Sequence, residues 1–138
     1  MTREAPNPPK ARTGIGDLSI PREIADSLCS CGGVEGLIDN LPSDDLLECM
    51  RKWYRACADP VRLKILSLLM AQPLCVCVIK AVMKMADSKL SYHLTILKNA
   101  GMIEGEQQGY YIIYRMTPEA KRFMEKELER FEISYKNR

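Results

Sequence analysis

Through the middle of the chain, apolar residues recur with the period of a helix, and near residue 102 that period changes. Ser43-Asp44-Asp45 offers an N-cap followed by acids in a first turn. Leu46, Leu47, Met50, Trp53 and Tyr54 then fall on one helical face. Asp59-Pro60 opens the next helix, the aspartate as cap and the proline where its missing N–H is not needed. Val61, Ile65, Leu68 and Leu69 make its stripe, which ends near Ala71-Gln72-Pro73. A short helix is expected from about Cys75 to Met83. Another runs from Asp87 or Ser88 to Asn99, with Leu90, Leu94 and Leu97 as its buried edge and Gly101 in the place of a C-terminal glycine. Lys89, Ser91, Tyr92 and Thr95 are left on the opposite side.

The pattern then turns to β-formers. Met102-Ile103-Glu104-Gly105-Glu106 and Tyr110-Tyr111-Ile112-Ile113-Tyr114-Arg115, joined by Gln107-Gln108-Gly109, read as a hairpin. Thr117-Pro118-Glu119 opens a last helix with Ala120, Phe123, Met124, Leu128 and Phe131 on its apolar face. Upstream, residues 20–39 predict a helix broken near Cys29-Ser30-Cys31-Gly32-Gly33, because adjacent glycines disfavour continuity. Residues 1–16, with Pro6, Pro8, Pro9 and Gly14, read as a flexible N-terminal arm. Residues 17–138 read as one domain. The order helix, helix, short helix, helix, hairpin, helix is that of a mainly α winged helix-turn-helix with a two-stranded β-hairpin wing.

Composition narrows the picture. With 20 Lys plus Arg against 18 Asp plus Glu in 138 residues, the net charge is only +2. That excludes a polybasic tail but allows a basic patch on one face, which is what a groove-binding module needs. No apolar run is long enough to span a bilayer and the start of the chain is not a signal peptide, so a cytoplasmic protein with no membrane partner is expected. A cytoplasm keeps thiols reduced, so the 6 cysteines point to soft-metal or redox chemistry rather than structural disulfides. The single histidine excludes a histidine-rich metal site.

Four separated blocks resemble the ArsR/SmtB family of metal-responsive repressors. Ala56-Cys57-Ala58-Asp59-Pro60-Val61-Arg62-Leu63-Lys64-Ile65-Leu66 looks like the family signature ALADPTRLRIL, and Leu74-Cys75-Val76-Cys77 like its metal-box LCVC. Residues 88–103 resemble the recognition helix, and Gly109 through Thr117 the wing strand. The resemblance covers roughly residues 44–130. It implies a homodimer joined by its first and last helices. It also implies a transcriptional repressor rather than an enzyme, bound to a pseudo-palindromic double-stranded operator through two successive major grooves.

Ser88, Lys89, Ser91, Tyr92 and Thr95 supply the short donors and acceptors that base edges require, and Lys84 and Lys98 could reach phosphates. His93 borders the buried edge and has two readings, a packed or hydrogen-bonded structural histidine and a base contact. In the wing, Tyr110 stands where the family commonly has a lysine or arginine, and Glu104 and Glu106 occupy the first strand. Arg115 is the cation left there for phosphate.

For the cysteines several readings stay open. Cys75 and Cys77 lie at a helix start, which lowers a thiol pKa. Two thiolates do not complete a site: Zn(II), Cd(II) or Pb(II) takes about three or four soft ligands and As(III) three. The family's arsenic sensors add a third cysteine, but Lys80 holds that position here. Its cadmium and lead sensors add an N-terminal pair from the partner subunit, and Cys29 with Cys31 is similarly placed. An S4 set bridging the dimer and a trigonal As(III) site drawn from the same four residues both fit. The family's alternative Asp/His site on the last helix cannot form, since that helix has no histidine. A rival reading makes the same pairs a thiol–disulfide switch. Cys57 and Cys49 sit at apolar positions and read as packing residues. An enzyme finds no support, with no C-x-x-C, no Ser-His-Asp set and no phosphate loop. A pure interaction module is the third class.

Overall fold

A computed structural model describes residues 19–137. The arm read at residues 1–16 lies outside them. Within the span read as one domain, the chain divides into two compact units, the first ending at Asp44 and the second beginning at Asp45.

In the first unit, α1 (Arg22–Ser30) and α2 (Gly33–Asp39) are separated where the paired glycines stand. Gly32 and Gly33 take φ of +85° and +73°, a left-handed backbone that side chains with a Cβ disfavour, so the helix breaks there as expected.

The second unit holds α3 (Asp44–Cys57), α4 (Pro60–Ala71), β1 (Leu74–Cys75), α5 (Val76–Met83), α6 (Asp87–Asn99), β2 (Ile103–Gln108), β3 (Tyr111–Met116) and α7 (Pro118–Lys136). Two starts show the local chemistry read from the sequence. The Asp59 carboxylate accepts from the Val61 and Arg62 amides at 2.7 and 3.3 Å, ahead of Pro60. Thr117 caps α7 by accepting from the Ala120 amide at 3.3 Å. The same hydroxyl donates to the Gly101 carbonyl at 3.0 Å, tying α7 to the end of α6.

The core lies between α4, α5, α6 and the sheet. Ile65 and Leu66 of α4, Ile79 of α5, Leu90 and Leu97 of α6, and Met102 are fully withdrawn from solvent. Ala120 and Met124 of α7 close the same cluster. The α6 edge of Leu90, Leu94 and Leu97 is buried as its spacing predicts.

The hairpin forms in the expected place, with Ile103 opposite Met116 and Gln108 opposite Tyr111. A third strand joins it. Leu74 and Cys75 pair antiparallel with Tyr114 and Ile113, giving the order β1-β3-β2. Two residues are too few for a strand periodicity, so this pairing is a long-range fact that the sequence pattern does not carry.

The α3 stripe is only partly covered. Trp53 packs edge-on against Phe123 at 5.2 Å, but Leu46, Leu47, Met50 and Tyr54 stay exposed, as do Leu128 and Phe131 of α7. Among the described residues no helix is long and apolar enough to cross a membrane.

Truncating a fully buried leucine leaves a cavity, so Leu97→Ala is expected to lose about 2–5 kcal/mol of stability in urea unfolding. Tyr110→Ala, at a fully exposed tip, should change the same midpoint by no more than about 0.5 kcal/mol. Equal effects would mean that α6 is not seated as described.

Candidate nucleic-acid interface and thiol pair

The two helices of the turn motif, α5 and α6, meet through a tight connection. Lys84 takes a left-handed φ of +52° at the end of α5, and its amide donates to the Lys80 carbonyl at 2.8 Å. Lys80 also reaches Asp87, the first residue of α6, at 2.7 Å. Both side chains are solvent-exposed, so this ion pair adds little energy, though it spans the turn.

With 13 residues, α6 is about 20 Å long, enough to lie along a major groove. Ser88, Lys89, Ser91, Tyr92, Thr95 and Lys98 are all exposed on it, and Lys84 is exposed just before it. The hydroxyl-rich face expected from the sequence is therefore open to a partner, and its back is the leucine edge in the core.

His93 departs from that group. Its position on the helix allows a base contact, but it is 5% exposed and its Nδ1 lies 3.1 Å from an Arg62 guanidinium nitrogen. Its position three residues after Leu90 and four before Leu97 turns it inward, which settles it as a packed, hydrogen-bonded histidine. Burial lowers its pKa, with the Asp59 carboxylate opposing and the Arg62 and Lys89 charges reinforcing the shift. Sequence reasoning missed Arg62, an arginine buried to 8% exposure; the one available signal was its place three residues after a helix-capping aspartate.

In the wing, Arg115 is engaged with Glu106 at 3.0 Å, so its charge is partly answered within the hairpin. At the tip, Gln107 donates to the Gly109 carbonyl at 2.9 Å and Tyr110 projects fully into solvent. The wing end is thus built of uncharged hydrogen-bonding groups.

Cys75 belongs both to β1 and to the start of α5, and Cys77 lies exposed two residues further along, in that helix's first turn. A hydrogen bond from the Cys77 thiol, aided by backbone amides of Val78 and Cys77, holds the Cys75 thiol below the ordinary cysteine value. The same hydrogen bond raises Cys77. The structure thus brings Cys75 and Cys77 together. Cys29 and Cys31 lie in the first unit, on α1 and just after it. Among the described residues no three Cys, His, Asp or Glu side chains gather as a metal-ligating group within the chain.

Cys57 is half-buried with its sulfur 4.0 Å from that of Met102, and burial raises its thiol pKa, which agrees with a packing role. Cys49 is exposed on α3.

Residues 59–104 match the family model described as "Bacterial regulatory protein, arsR family". The arsenical resistance operon repressor of Bacillus subtilis is 37% identical over 76 residues, which cover 52% of this chain and 72% of that protein. A transcriptional repressor SmtB homolog of Synechocystis sp. is 35% identical over 72 residues, 52% of this chain and 54% of that protein. The chain thus spans about half the length of the Synechocystis relative. Among solved structures, the homodimeric winged helix-turn-helix DNA-binding domain of a Mycobacterium bovis protein superposes with a TM-score of 0.66 at 24% identity. That likeness covers 72% of this chain and 95% of the other, and it establishes the winged-helix fold.

The thiolate is the nucleophile, and it forms as pH rises through each thiol's own pKa. Cys75 is therefore expected to be alkylated by iodoacetamide at a lower pH than Cys57, as read by peptide mass mapping. Labelling in the opposite order would remove the case for an activated thiol at the start of α5.

Proposed function

Since the chain belongs to the arsR family of bacterial regulatory proteins, we propose that it is a homodimeric transcriptional repressor whose hold on an operator is released through its cysteine thiols. The observation that carries the DNA-binding half is α6. Its leucine edge is fixed in the core and its opposite side presents Ser88, Lys89, Ser91, Tyr92 and Thr95 to solvent. Short hydroxyl side chains can read base edges, and Lys84, Lys89 and Lys98 can meet phosphates. Two copies related by a two-fold axis would place two such helices in successive major grooves. The uncovered apolar residues of α3 and α7 supply a surface for that pairing. In this reading the protein works in the cytoplasm, where its thiols stay reduced.

The sensing half rests on the thiol pair. Within one chain, Cys75 and Cys77 offer two soft donors, and the pair suits a thiophilic ion such as As(III), Cd(II), Pb(II) or Zn(II). Cys29 and Cys31 of a second copy would complete a three- or four-thiolate set. Such an ion would draw thiolates from two subunits onto one centre. Cys75, already biased toward the thiolate, is the residue to engage first. Because its backbone is laddered to Ile113, any displacement of Cys75 is passed directly to the central strand of the wing. Linkage then requires DNA to weaken inducer binding by the same factor that inducer weakens DNA binding.

A redox reading has one observation in its favour, the hydrogen bond between the two neighbouring thiols. Two-electron oxidation by a peroxide would join Cys75 and Cys77 or link them to the other pair; the O–O bond breaks as the S–S bond forms, and the two oxygens leave as water or alcohol carrying the two thiol protons.

Fluorescence anisotropy with a duplex from the promoter upstream of the protein's own gene separates these readings. Reduced protein is expected to bind, and Lys89→Ala should reduce the slope of log affinity against log salt by about one. As(III), Cd(II) or Pb(II) should release the duplex from the native protein and not from a Cys75→Ser, Cys77→Ser variant. Release by oxidant alone would select the redox switch. Indifference to both would take the thiols out of regulation, and failure to bind any duplex at low salt would leave only an interaction module.

A further inference from the structure

We propose that Arg62 and His93 form a positioning pair that seats α6, and that protonation of His93 unseats that helix, so that DNA binding falls in acid. The DNA readout rests on the reading of α6 given above, whereas the seat itself does not.

Arg62 is charged and almost fully buried, and three groups use its guanidinium. Its Nε donates to the Ala56 carbonyl at 2.8 Å, and one terminal nitrogen donates to the Arg55 carbonyl at 3.1 Å. These carbonyls lie at the end of α3, where the helix dipole is negative, and the Arg55 carbonyl also accepts from the Ala58 amide at 3.2 Å. The other terminal nitrogen faces His93 Nδ1 at 3.1 Å. A single side chain of α4 thus holds the end of α3 and the inner face of α6.

That contact dictates the state of the imidazole. Arginine has only donors, so Nδ1 must be the acceptor and the ring's proton must sit on Nε2. A proton added at Nδ1 would set N–H against N–H and place a second cation beside a buried guanidinium. The groups facing the ring are Asp59 and Arg62 at the start of α4, and Lys89 and Tyr92 of α6 itself. Asp59 favours the charged ring; Arg62, Lys89 and burial oppose it, and burial dominates. Tyr92 meets the ring edge-on at 5.2 Å and lies on the exposed side of α6. The seat is therefore one residue away from the face offered to DNA.

The sign follows from linkage. A displaced His93 takes its proton in the ordinary imidazole range, while the seated ring resists it to lower pH. Seating is complete above that range, begins to weaken as pH falls through it, and is lost as pH falls through the seated ring's own lower value.

His93→Asn keeps an acceptor oxygen for Arg62 and removes the titration. Between about pH 8 and about pH 5.5, wild-type affinity for the promoter duplex is expected to fall about tenfold or more, in the direction that linkage requires. The asparagine variant should lose less than about threefold over the same interval. Parallel losses in the two proteins would overturn the proposal. Nitrogen NMR of wild-type protein gives a second test that needs no variant. It should show the Nε2–H tautomer at neutral pH and a ring that titrates below the ordinary range. An Nδ1–H tautomer, or ordinary titration, would overturn the Arg62–His93 seat even if the variant failed to fold. A wild type that binds no duplex at pH 8 would overturn the DNA-binding reading, and the imidazole spectrum would still decide the seat.

Discussion

Leu90, Leu94 and Leu97 leave water together against α4 and the sheet, and that burial orients everything else in the second unit. Each such side chain contributes roughly 1.5–3 kcal/mol when fully withdrawn, so the three together match a sizeable part of a small domain's net stability. A helix fixed by one edge has no freedom left on the other. The polar side of α6 faces outward because its apolar side has been taken, and the short turn through Lys84 and Met85 holds it at a set angle to α5. The hairpin then follows from the same core, since Met102 and Ile103 continue directly from α6 into buried positions.

Charge is handled differently inside and outside this framework. The exposed pairs, Lys80 with Asp87 and Arg115 with Glu106, exchange one hydration for another and contribute little. Arg62 is withdrawn from water, which costs free energy unless each donor is met. Two carbonyls at the end of α3 and a neutral imidazole meet it, and no buried side-chain nitrogen or oxygen among the described residues is left unpartnered. Polar groups that would each be a liability alone become a joint between three helices.

The features legible in the sequence are those set by neighbours along the chain. Asp59-Pro60 and Thr117-Pro118 announce helix starts, Gly32-Gly33 a break, and the leucine spacing of α6 its inner edge. Three things needed contacts between distant residues. β1 exists only because β3 lies beside it. Arg62 looks like a solvent-facing arginine until the end of α3 and His93 are folded over it. Helical periodicity shows that α3 has an apolar face, but not what covers Leu46, Met50 or Cys49. His93 could be narrowed to two roles by its spacing, and burial selected one. The adjacency of Cys75 and Cys77 was plain from their numbering, whereas the hydrogen bond that makes them unequal was not.

Leu74 and Cys75 carry two duties in one stretch of backbone, the sheet ladder on one side and the start of α5 on the other. Inserting or deleting one residue there would invert which way each side chain points along the strand and would carry the thiol to the wrong face. The hairpin tip at Gly109 and Tyr110 has no such double commitment, and its tyrosine touches only water. Over generations, then, this fold can lengthen or shorten its wing cheaply, while the spacing that leads into the thiol pair is locked. Diversification among descendants should begin at the wing and reach the thiol pair last.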